Sequence, residues 1–300
     1  MEVSSLFDVS GKQVVVTGGG RGIGRMIAEG FAANGAKVIL CSRNIQQVRS
    51  VKNETRGKEY ESVLTNLTVQ CAASAEDINE KYPGTCVSIQ ADLSTKAECE
   101  RLAKRIGEVF NEVHVLVNNS GTSWGAPLEE TPDMAWDKVL ALNVKAPFHL
   151  TVALLPLLDK GSRPNDPARV INIGSSAGIR PQAFPTFAYD TSKAAINFLT
   201  QKLSYWLARR ADKGGHSITV NSIAPGYVPT KMSKQLGTYG MSGDRLNSIQ
   251  PLPRTGGAED MAGAAIFLAS RAGAWVTGIV LVVDGGLLAT PPGVCLSAKL

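Results

Sequence analysis

A tyrosine and a lysine four positions apart, Tyr189 and Lys193, are the side chains in this chain best suited to move a proton. The stretch that follows them has apolar residues at helical spacing, so both side chains should share one face of a helix. A free tyrosine has a pKa of about 10, but a nearby ammonium favours the phenolate and lowers that pKa. The pair therefore predicts a proton-donating phenol, although the same spacing is also common on protein surfaces.

A glycine-rich turn near the start of the chain, from Thr17 to Gly24, could hold a phosphate. It follows the apolar β-branched run Val14–Val16 and precedes a segment with helical spacing, which predicts a strand, a tight turn and a helix. Backbone N–H groups and the positive end of the helix dipole bind a pyrophosphate at such a turn. We expect Gly18, Gly22 and Gly24 to supply the turn, the phosphate approach and the helix packing. A glycine-rich turn without a ligand is the alternative.

The composition predicts one α/β domain. The chain has 300 residues, of which 44% are hydrophobic and 19% charged, and strand patterns alternate with helical patterns without a dividing linker. We predict a single doubly wound Rossmann-type domain over residues 1–300, with a parallel sheet of about seven strands and helices on both faces. The net charge of +5 is spread out, which argues against a nucleic-acid partner. No apolar stretch is expected to reach the roughly 18 residues of a membrane-spanning helix.

The glycine turn and the tyrosine–lysine pair, in this order, resemble the short-chain dehydrogenase/reductase family, and the resemblance extends from about Ser10 to Gly286. Further strings carry it: V-N-N-S-G at 117–121, L-N-V at 142–144, V-I-N-I-G-S-S at 170–176, P-G-Y-V-P-T at 225–230 and V-D-G-G at 283–286. Within the family, G-T-S-W-G-A at 121–126 and P-A-R-V-I-N-I-G-S at 167–175 are similar to the 3-oxoacyl-[acyl-carrier-protein] reductases of the rhamnolipid-associated type.

This resemblance implies four catalytic residues. Tyr189 would protonate the substrate carbonyl oxygen, while Lys193 would hold the nicotinamide ribose and lower the pKa of the tyrosine. Ser175 would hydrogen-bond the carbonyl, with Ser176 as the competitor for that role. Asn143 would hold a water that links the lysine to solvent, unless its amide only satisfies backbone groups.

The resemblance also implies a set of coenzyme-binding residues. Asp92 would contact the adenine, and Val228 and Thr230 the carboxamide. The full set comprises Gly18, Arg21, Gly22, Ile23, Gly24, Ser42, Arg43, Asp92, Leu93, Asn119, Gly121, Tyr189, Lys193, Val228 and Thr230.

The end of the second predicted strand favours NADP(H) over NAD(H). NAD enzymes place an Asp or Glu there to accept the ribose 2′-hydroxyl. This chain instead has Ser42 and Arg43 at that point, and Arg21 lies in the glycine turn. Two guanidinium groups near one ribose would attract a 2′-phosphate.

The predicted activity is NADPH-dependent reduction of a carbonyl to an alcohol, most closely of a 3-oxoacyl thioester on coenzyme A or an acyl-carrier protein. The alternatives are reduction of another ketone or aldehyde (a secondary metabolite, quinone or steroid) and a non-catalytic, nucleotide-binding scaffold. A predicted mobile lid covers Met232–Pro253. Five side chains are expected either to line an apolar pocket or to pack in loops: Trp124, Pro181, Phe184, Pro185 and Phe187.

Two segments exceed a minimal family member: an insertion at about 50–82 and a flexible tail at about 288–300. The last three residues, Ala298-Lys299-Leu300, differ by one small residue from a peroxisomal signal, so the location is predicted to be peroxisomal or cytoplasmic. Five cysteines without a C-x-x-C pair indicate a reducing compartment, and three scattered histidines indicate no metal site. The family usually assembles as dimers or tetramers. Seven apolar residues on or after the predicted tyrosine helix are compatible with such an interface, although core packing would also explain them. They are Ile196, Phe198, Leu199, Leu203, Tyr205, Trp206 and Leu207.

Overall fold

The computed structural model of the chain describes residues 2–43, 72–234, 247 and 250–290. In these residues, seven parallel strands form one sheet in the order β3-β2-β1-β4-β5-β6-β7. The strands are β1 (Gln13–Thr17), β2 (Lys37–Ser42), β3 (Cys86–Gln90), β4 (Val115–Asn118), β5 (Ala168–Ile173), β6 (Ile218–Pro225) and β7 (Val280–Val283). The prediction of a doubly wound parallel sheet is confirmed.

One short helix precedes β1, and the other helices lie between consecutive strands. They are α1 (Val3–Leu6), α2 (Gly22–Ala33), α3 (72–81), α4 (Lys96–Val109), α5 (Asp133–Leu140), α6 (Ala146–Gly161), α7 (Phe187–Ala208) and α8 (Ala258–Ala269). One π-helical turn, Ala141–Lys145, joins α5 to α6. Short 3-10 turns cover Leu128–Glu130, Ser176–Gly178, Arg209–Lys213, Arg271–Gly273 and Leu287–Ala289.

The central strands are buried on both faces, which explains their continuous apolar sequences. Successive side chains of a strand point to opposite faces. Accordingly, Val14 and Val16 belong to the core cluster beneath α2 and α8, whereas Val15 belongs to the cluster beneath α4 and α6. All three valines are fully buried. Helices thus cover both faces of the sheet, and only the ends of the strands and the loops that follow them can form a binding site.

The strand order reverses between β1 and β4. The chain runs outward from β1 through β2 to β3 and then returns to β4, so the loops after β1 and β4 diverge and leave a crevice. The glycine turn follows β1, and the residues Asn118–Gly121 end and follow β4. The loops that the sequence analysis singled out therefore meet at the carboxyl edge of the sheet.

The helical run from α5 through α6 differs from one expectation. Residues Asp133–Gly161 form 29 continuous helical residues with a window of mean hydropathy 1.4, so this run is long and apolar enough to cross a membrane. The prediction that no stretch is long and apolar enough to span a membrane is therefore wrong, as judged by length and composition alone. However, 44% of that window is buried. Leu150, Leu154 and Leu158 are fully buried against the sheet, as in the core helix of a folded domain.

Three predicted features fall wholly or partly outside the described residues. Of the insertion at about 50–82, the structure describes only 72–82, which contains α3. Of the lid at 232–253, it describes 232–234, 247 and 250–253. The tail beyond residue 290 lies outside the described residues.

Gly24 gives a direct test of how tightly α2 packs on the end of β1. A Cβ built on Gly24 would lie 2.5 Å from the Gly18 carbonyl oxygen and would also overlap the Asn119 amide. Gly24→Ala should therefore lower the free energy of unfolding by about 1–3 kcal/mol, because backbone must shift. Urea denaturation measures this change.

The matched control is Gly263→Ala in α8, where a Cβ would meet nothing within 4 Å. This variant should raise the free energy of unfolding by roughly 0.5–1 kcal/mol, because alanine is the better helix former. Equal effects of the two substitutions would contradict the packing role of Gly24.

Candidate active site

A cleft of about 710 Å³ opens at the carboxyl edge of the sheet. Its walls come from the loops after β1, β2, β3, β4, β5 and β6, together with the first turn of α7. All predicted site residues except Gly24 and Asn143 line this cleft. One cleft of this size therefore collects residues that lie as far apart in the sequence as Gly18 and Leu287.

Tyr189, Ser175 and Lys193 lie together in the cleft. The Ser175 hydroxyl lies near the Tyr189 hydroxyl and interacts with it so as to favour the phenolate. The Lys193 ammonium lies 5.6 Å from the centre of the Tyr189 ring and donates a 2.7 Å hydrogen bond to the Ile173 carbonyl at the end of β5. Of the two candidate serines, Ser175 is the one whose side chain interacts with the phenol.

The short turn Ser176–Gly178, which follows Ser175, packs closely against α7. The Ser175 hydroxyl accepts a 3.1 Å hydrogen bond from the Ala177 amide and so caps the turn Ser176–Gly178. A Cβ at Gly178 would lie 2.5 Å from the Lys193 carbonyl oxygen, so only glycine allows this approach. The sequence analysis missed Gly178, which is the residue that lets the serine turn reach the tyrosine helix.

The pKa of Tyr189 is raised, which corrects the expectation that Lys193 lowers it. Burial is the main cause, since it disfavours the phenolate, and the nearby Asp190 carboxylate acts in the same direction. The interaction with the Ser175 hydroxyl lowers the pKa and so opposes these two causes. The ammonium bonds to the Ile173 carbonyl rather than to the phenol. The phenol is consequently held in its protonated form, which is the form of a proton donor.

Burial has the opposite effect on Lys193. This side chain is 6% exposed, and desolvation of its ammonium lowers the pKa to about 8. In the described part of the chain, the Ile173 carbonyl is its one hydrogen-bond acceptor. The remaining ammonium protons are free to bind a polar group in the cleft.

The side chain of Asn143 has a positioning role. It lies in the π-helical turn and is 3% exposed. Its amide donates 2.9 Å hydrogen bonds to the Thr122 carbonyl and the Ser192 hydroxyl, and its oxygen accepts one of 2.9 Å from the Thr122 amide. The amide thus ties the loop after β4 to α7. The water-holding role predicted for Asn143 stays a prediction, and its amide protons are already used by the protein.

The glycine turn forms a backbone cradle. Gly18 and Gly22 have φ values of +65° and +55°, which favour glycine. The Asn119 amide donates to the carbonyls of Thr17 (2.9 Å) and Gly18 (3.2 Å), which fixes the turn to the end of β4. Gly24 lies outside the cleft wall and serves helix packing, as described above.

The nucleotide end of the cleft carries unpaired positive charge. Arg21 and Arg43 are exposed side chains that line the cleft beside Ser42, and neither takes part in an ion pair in the described residues. No acidic residue follows β2 before Glu54 in the sequence. Such a cradle, with glycine backbone at one end and two guanidinium groups at the other, fits a phosphorylated dinucleotide.

The other predicted coenzyme residues also line the cleft. Asp92 lines the cleft after β3, and its carboxylate accepts a 3.0 Å hydrogen bond from the Ser94 amide. Thr230 faces the glycine turn, since a Cβ on Gly22 would lie 3.2 Å from its methyl group. The cleft wall also includes Ile23, Leu93, Asn119, Gly121 and Val228.

The opposite end of the cleft only partly matches expectation. Of the five predicted apolar residues, Phe184 lines the cleft, whereas Trp124, Pro181, Pro185 and Phe187 are absent from its wall. The sequence analysis missed several polar or apolar residues that do line it. These are Ser123, Gln182, Thr186, Asp190, Tyr227, Met232 and Leu287.

An arginine outside the cleft wall holds Leu287 in place. The Arg180 guanidinium donates to the carbonyls of Leu287 (2.8 Å), Leu288 (3.3 Å) and Thr290 (3.1 Å). Asp284 accepts from the amides of Gly286 and Leu288 in the same turn. The segment after β7 is therefore fastened to the loop after β5, and it closes one side of the cleft.

A parallel sheet with a phosphate cradle at its switch point, together with a tyrosine, lysine and serine at the same edge, defines a dinucleotide-dependent oxidoreductase. The chain belongs to the short-chain dehydrogenase/reductase family. The family model described as enoyl-(acyl carrier protein) reductase matches residues 56–288, and the short chain dehydrogenase model matches residues 12–83.

Individual relatives agree with this assignment. The rhamnolipids biosynthesis 3-oxoacyl-[acyl-carrier-protein] reductase of Pseudomonas aeruginosa is 39% identical over 93% of this chain and 97% of its own length. The gluconate 5-dehydrogenase of Gluconobacter oxydans is 32% identical over 96% of this chain and 98% of its own. The solved active-site complex of P. aeruginosa RhlG with NADP superimposes with a TM-score of 0.80 at 39% identity, over 96% of this chain and 99% of that chain.

The buried Lys193 ammonium should make the site a source of instability. Its pKa lies at about 8 in the folded chain, against 10.5 for a free lysine. Because the unfolded state binds the proton more tightly, burial destabilises the fold below pH 8, and this penalty fades as the pH rises from 8 to 10.5. Lys193→Met removes this penalty but also removes one hydrogen bond, which partly offsets the gain. The net result should be a free energy of unfolding at pH 7 that is higher by about 2 kcal/mol.

Chemical denaturation at pH 7 and pH 10 measures this effect, and the stabilisation by Lys193→Met should be smaller at pH 10. A variant that is less stable than the parent at pH 7 would show that the ammonium is well solvated and would contradict its burial.

Proposed function

We propose that this chain is an NADPH-dependent reductase that converts a 3-oxoacyl thioester to the 3-hydroxyacyl thioester, with coenzyme A or an acyl-carrier protein as the carrier. The observation that carries the proposal is the Ser175–Tyr189 hydroxyl pair beside the buried Lys193, in the same cleft as Arg21 and Arg43. The relative from P. aeruginosa is named for reduction of a 3-oxoacyl thioester, which supports this choice of substrate.

The coenzyme supplies the hydride that the carbonyl carbon accepts. Arg21, Ser42 and Arg43 would hold the 2′-phosphate through charge-assisted hydrogen bonds, and the glycine backbone would hold the pyrophosphate. The Lys193 ammonium has protons to donate to ribose hydroxyl groups. The NADP complexes of RhlG and of a Burkholderia cenocepacia gluconate 5-dehydrogenase (25% identical, TM-score 0.77) support the choice of NADP(H).

The residues of this chain handle the proton. Ser175 hydrogen-bonds the substrate carbonyl and orients it, and the protonated Tyr189 donates its proton to the oxygen as negative charge develops there. Lys193, with a pKa of about 8, is still largely protonated at neutral pH and stabilises the phenolate that remains. The hydrogen bonds of Asn143 keep α7 and the loop after β4 at a fixed separation.

Tyr189→Phe tests the proton transfer. Purified protein should oxidise NADPH in the presence of acetoacetyl-coenzyme A, and Tyr189→Phe should lower kcat by about 10²–10⁴-fold, because the proton donor is lost. The dissociation constant of NADPH, measured by fluorescence titration, should stay within about twofold. Substantial residual turnover would refute the assignment of Tyr189.

The substrate panel separates the alternatives. If the protein reduces other ketones but not acetoacetyl-coenzyme A, the proposed thioester substrate is wrong and the substrate is another carbonyl compound. NADPH binding without turnover of any carbonyl compound would favour a non-catalytic scaffold.

Arg43→Ala tests the choice of coenzyme. Loss of one charge-assisted hydrogen bond to the 2′-phosphate should raise the dissociation constant of NADPH by about tenfold and leave that of NADH nearly unchanged. Arg209→Ala, which removes an exposed arginine outside the cleft, is the charge-matched control. Equal weakening of both coenzymes would contradict the role of Arg43.

A second candidate is reduction of a polyhydroxy ketone. Several relatives are named for such substrates, including the 5-keto-D-gluconate 5-reductase of Escherichia coli, which is 30% identical over 95% of this chain and 99% of its own length. Polar residues of the cleft, Gln182 and Thr186, are compatible with hydroxyl groups.

We also propose that the protein is a homodimer or homotetramer built on α6 and α7. Phe198, Tyr205 and Trp206 on α7 are 71%, 56% and 56% exposed, and Phe148 and Val152 on α6 are 40% and 45% exposed. Both helices pack in the same core cluster, and exposed apolar side chains on them favour association. Of the predicted set, Ile196, Leu203 and Leu207 are buried and belong to the core instead. Light scattering with Trp206→Glu, which should dissociate the oligomer, tests the proposal.

Peroxisomal location remains a proposal that rests on Ala298-Lys299-Leu300, which lie outside the described residues. Imaging of protein labelled at its amino terminus, with and without these three residues, tests it. Diffuse cytoplasmic label in both cases would refute it.

A further inference from the structure

The charged side chains that line the cleft are distributed unevenly. They are Arg21, Arg43, Asp92, Asp190, Lys193 and Lys231. Arg43 and Asp92 follow β2 and β3, and Arg21 adjoins the glycine turn. Lys231 follows Thr230, which contacts that same turn. Four of the six therefore lie at the nucleotide end.

The remaining two charges flank the phenol. The Lys193 ammonium is directed at the Ile173 carbonyl and at the region where the ribose is proposed to bind. Asp190 follows Tyr189 directly in the first turn of α7. It lies next to the loop that contains Gln182, Phe184 and Thr186, all of which line the cleft beyond the proposed coenzyme residues.

The Asp190 carboxylate is held in a fixed position. It accepts a 2.9 Å hydrogen bond from the Thr186 hydroxyl and lies near the Gln182 backbone amide. Burial raises the pKa of this half-buried carboxyl group, and the Thr186 hydroxyl and the Gln182 amide oppose that rise because they favour the ionised form. No lysine or arginine forms an ion pair with it in the described residues, so its charge is not neutralised by a partner.

We propose that Asp190 is a specificity-determining residue, which admits neutral ketones to the cleft and rejects ketones that carry a carboxylate close to the carbonyl group. The inference rests on the proposed carbonyl reduction. Two like charges held a few ångströms apart in a partly desolvated cleft repel each other strongly, and salt screens them less than at an open surface. The acyl chain and thioester of a 3-oxoacyl substrate are neutral, whereas a keto acid must bring its carboxylate toward Asp190.

Two ketones with the same 3-oxobutanoyl skeleton test this proposal. Ethyl acetoacetate is neutral and acetoacetate carries a carboxylate. The readout is the ratio of kcat/KM for the ester to kcat/KM for the acid, measured with NADPH at pH 7. Asp190→Asn, which keeps the shape and removes the charge, should lower this ratio at least about tenfold through a gain on acetoacetate. Asp190→Glu, which keeps the charge, should retain the ratio within about threefold.

The control is Asp212→Asn, which makes the same charge change just beyond the far end of α7, roughly 30 Å away along the helix. It should leave the ratio unaltered. An unaltered ratio in Asp190→Asn would overturn the proposal. A lower ratio that arises only from loss on the ester would also overturn it, because it would indicate a supporting rather than a discriminating role.

The same pair separates this proposal from the proposed function. The two ketones are also titrated by calorimetry into the protein loaded with NADP⁺, so that the ratio is obtained as dissociation constants without turnover. Failure to reduce acetoacetyl-coenzyme A, with the charge discrimination intact, would refute the thioester substrate but support the role of Asp190.

Discussion

The site depends on one buried charge. The Lys193 ammonium is almost fully removed from solvent, and its 2.7 Å hydrogen bond to the Ile173 carbonyl joins the second turn of α7 to the end of β5. A buried cation is costly unless a partner satisfies it, so the positions of α7 and β5 are coupled. This coupling keeps Tyr189, one helical turn earlier, in the same cleft as Ser175, which follows β5. The protein accepts a local loss of stability in order to keep a cation beside the phenol.

Two asparagines hold the remaining parts in register. Asn119 fixes the glycine turn to β4, and Asn143 fixes the loop after β4 to α7. The side-chain amides of both asparagines donate their hydrogen bonds within the protein. Each asparagine therefore acts by holding neighbouring segments in position. The coenzyme cradle and the proton donor thus form one connected unit, which spans the switch point of the sheet.

Much of this arrangement could be predicted from the sequence. The strand–turn–helix pattern and the order of the motifs predict the sheet type, and Arg21 and Arg43 predict the positive charge at the nucleotide end. The direction of the Tyr189 pKa could not be predicted, because it depends on burial and on where the ammonium points. The proposed role of Asp190 in specificity could not be predicted from the sequence either, because it depends on how the loop 182–186 packs beside this side chain.

The most direct test is a crystal structure of the protein with NADP⁺ and acetoacetyl-coenzyme A or an unreactive analogue. The account predicts that the nicotinamide ring and the carbonyl oxygen lie against the Tyr189 and Ser175 hydroxyl groups, with the Lys193 ammonium on the ribose. A complex in which the Tyr189 hydroxyl faces away from the coenzyme, with no rotamer able to bring it back, would contradict the account.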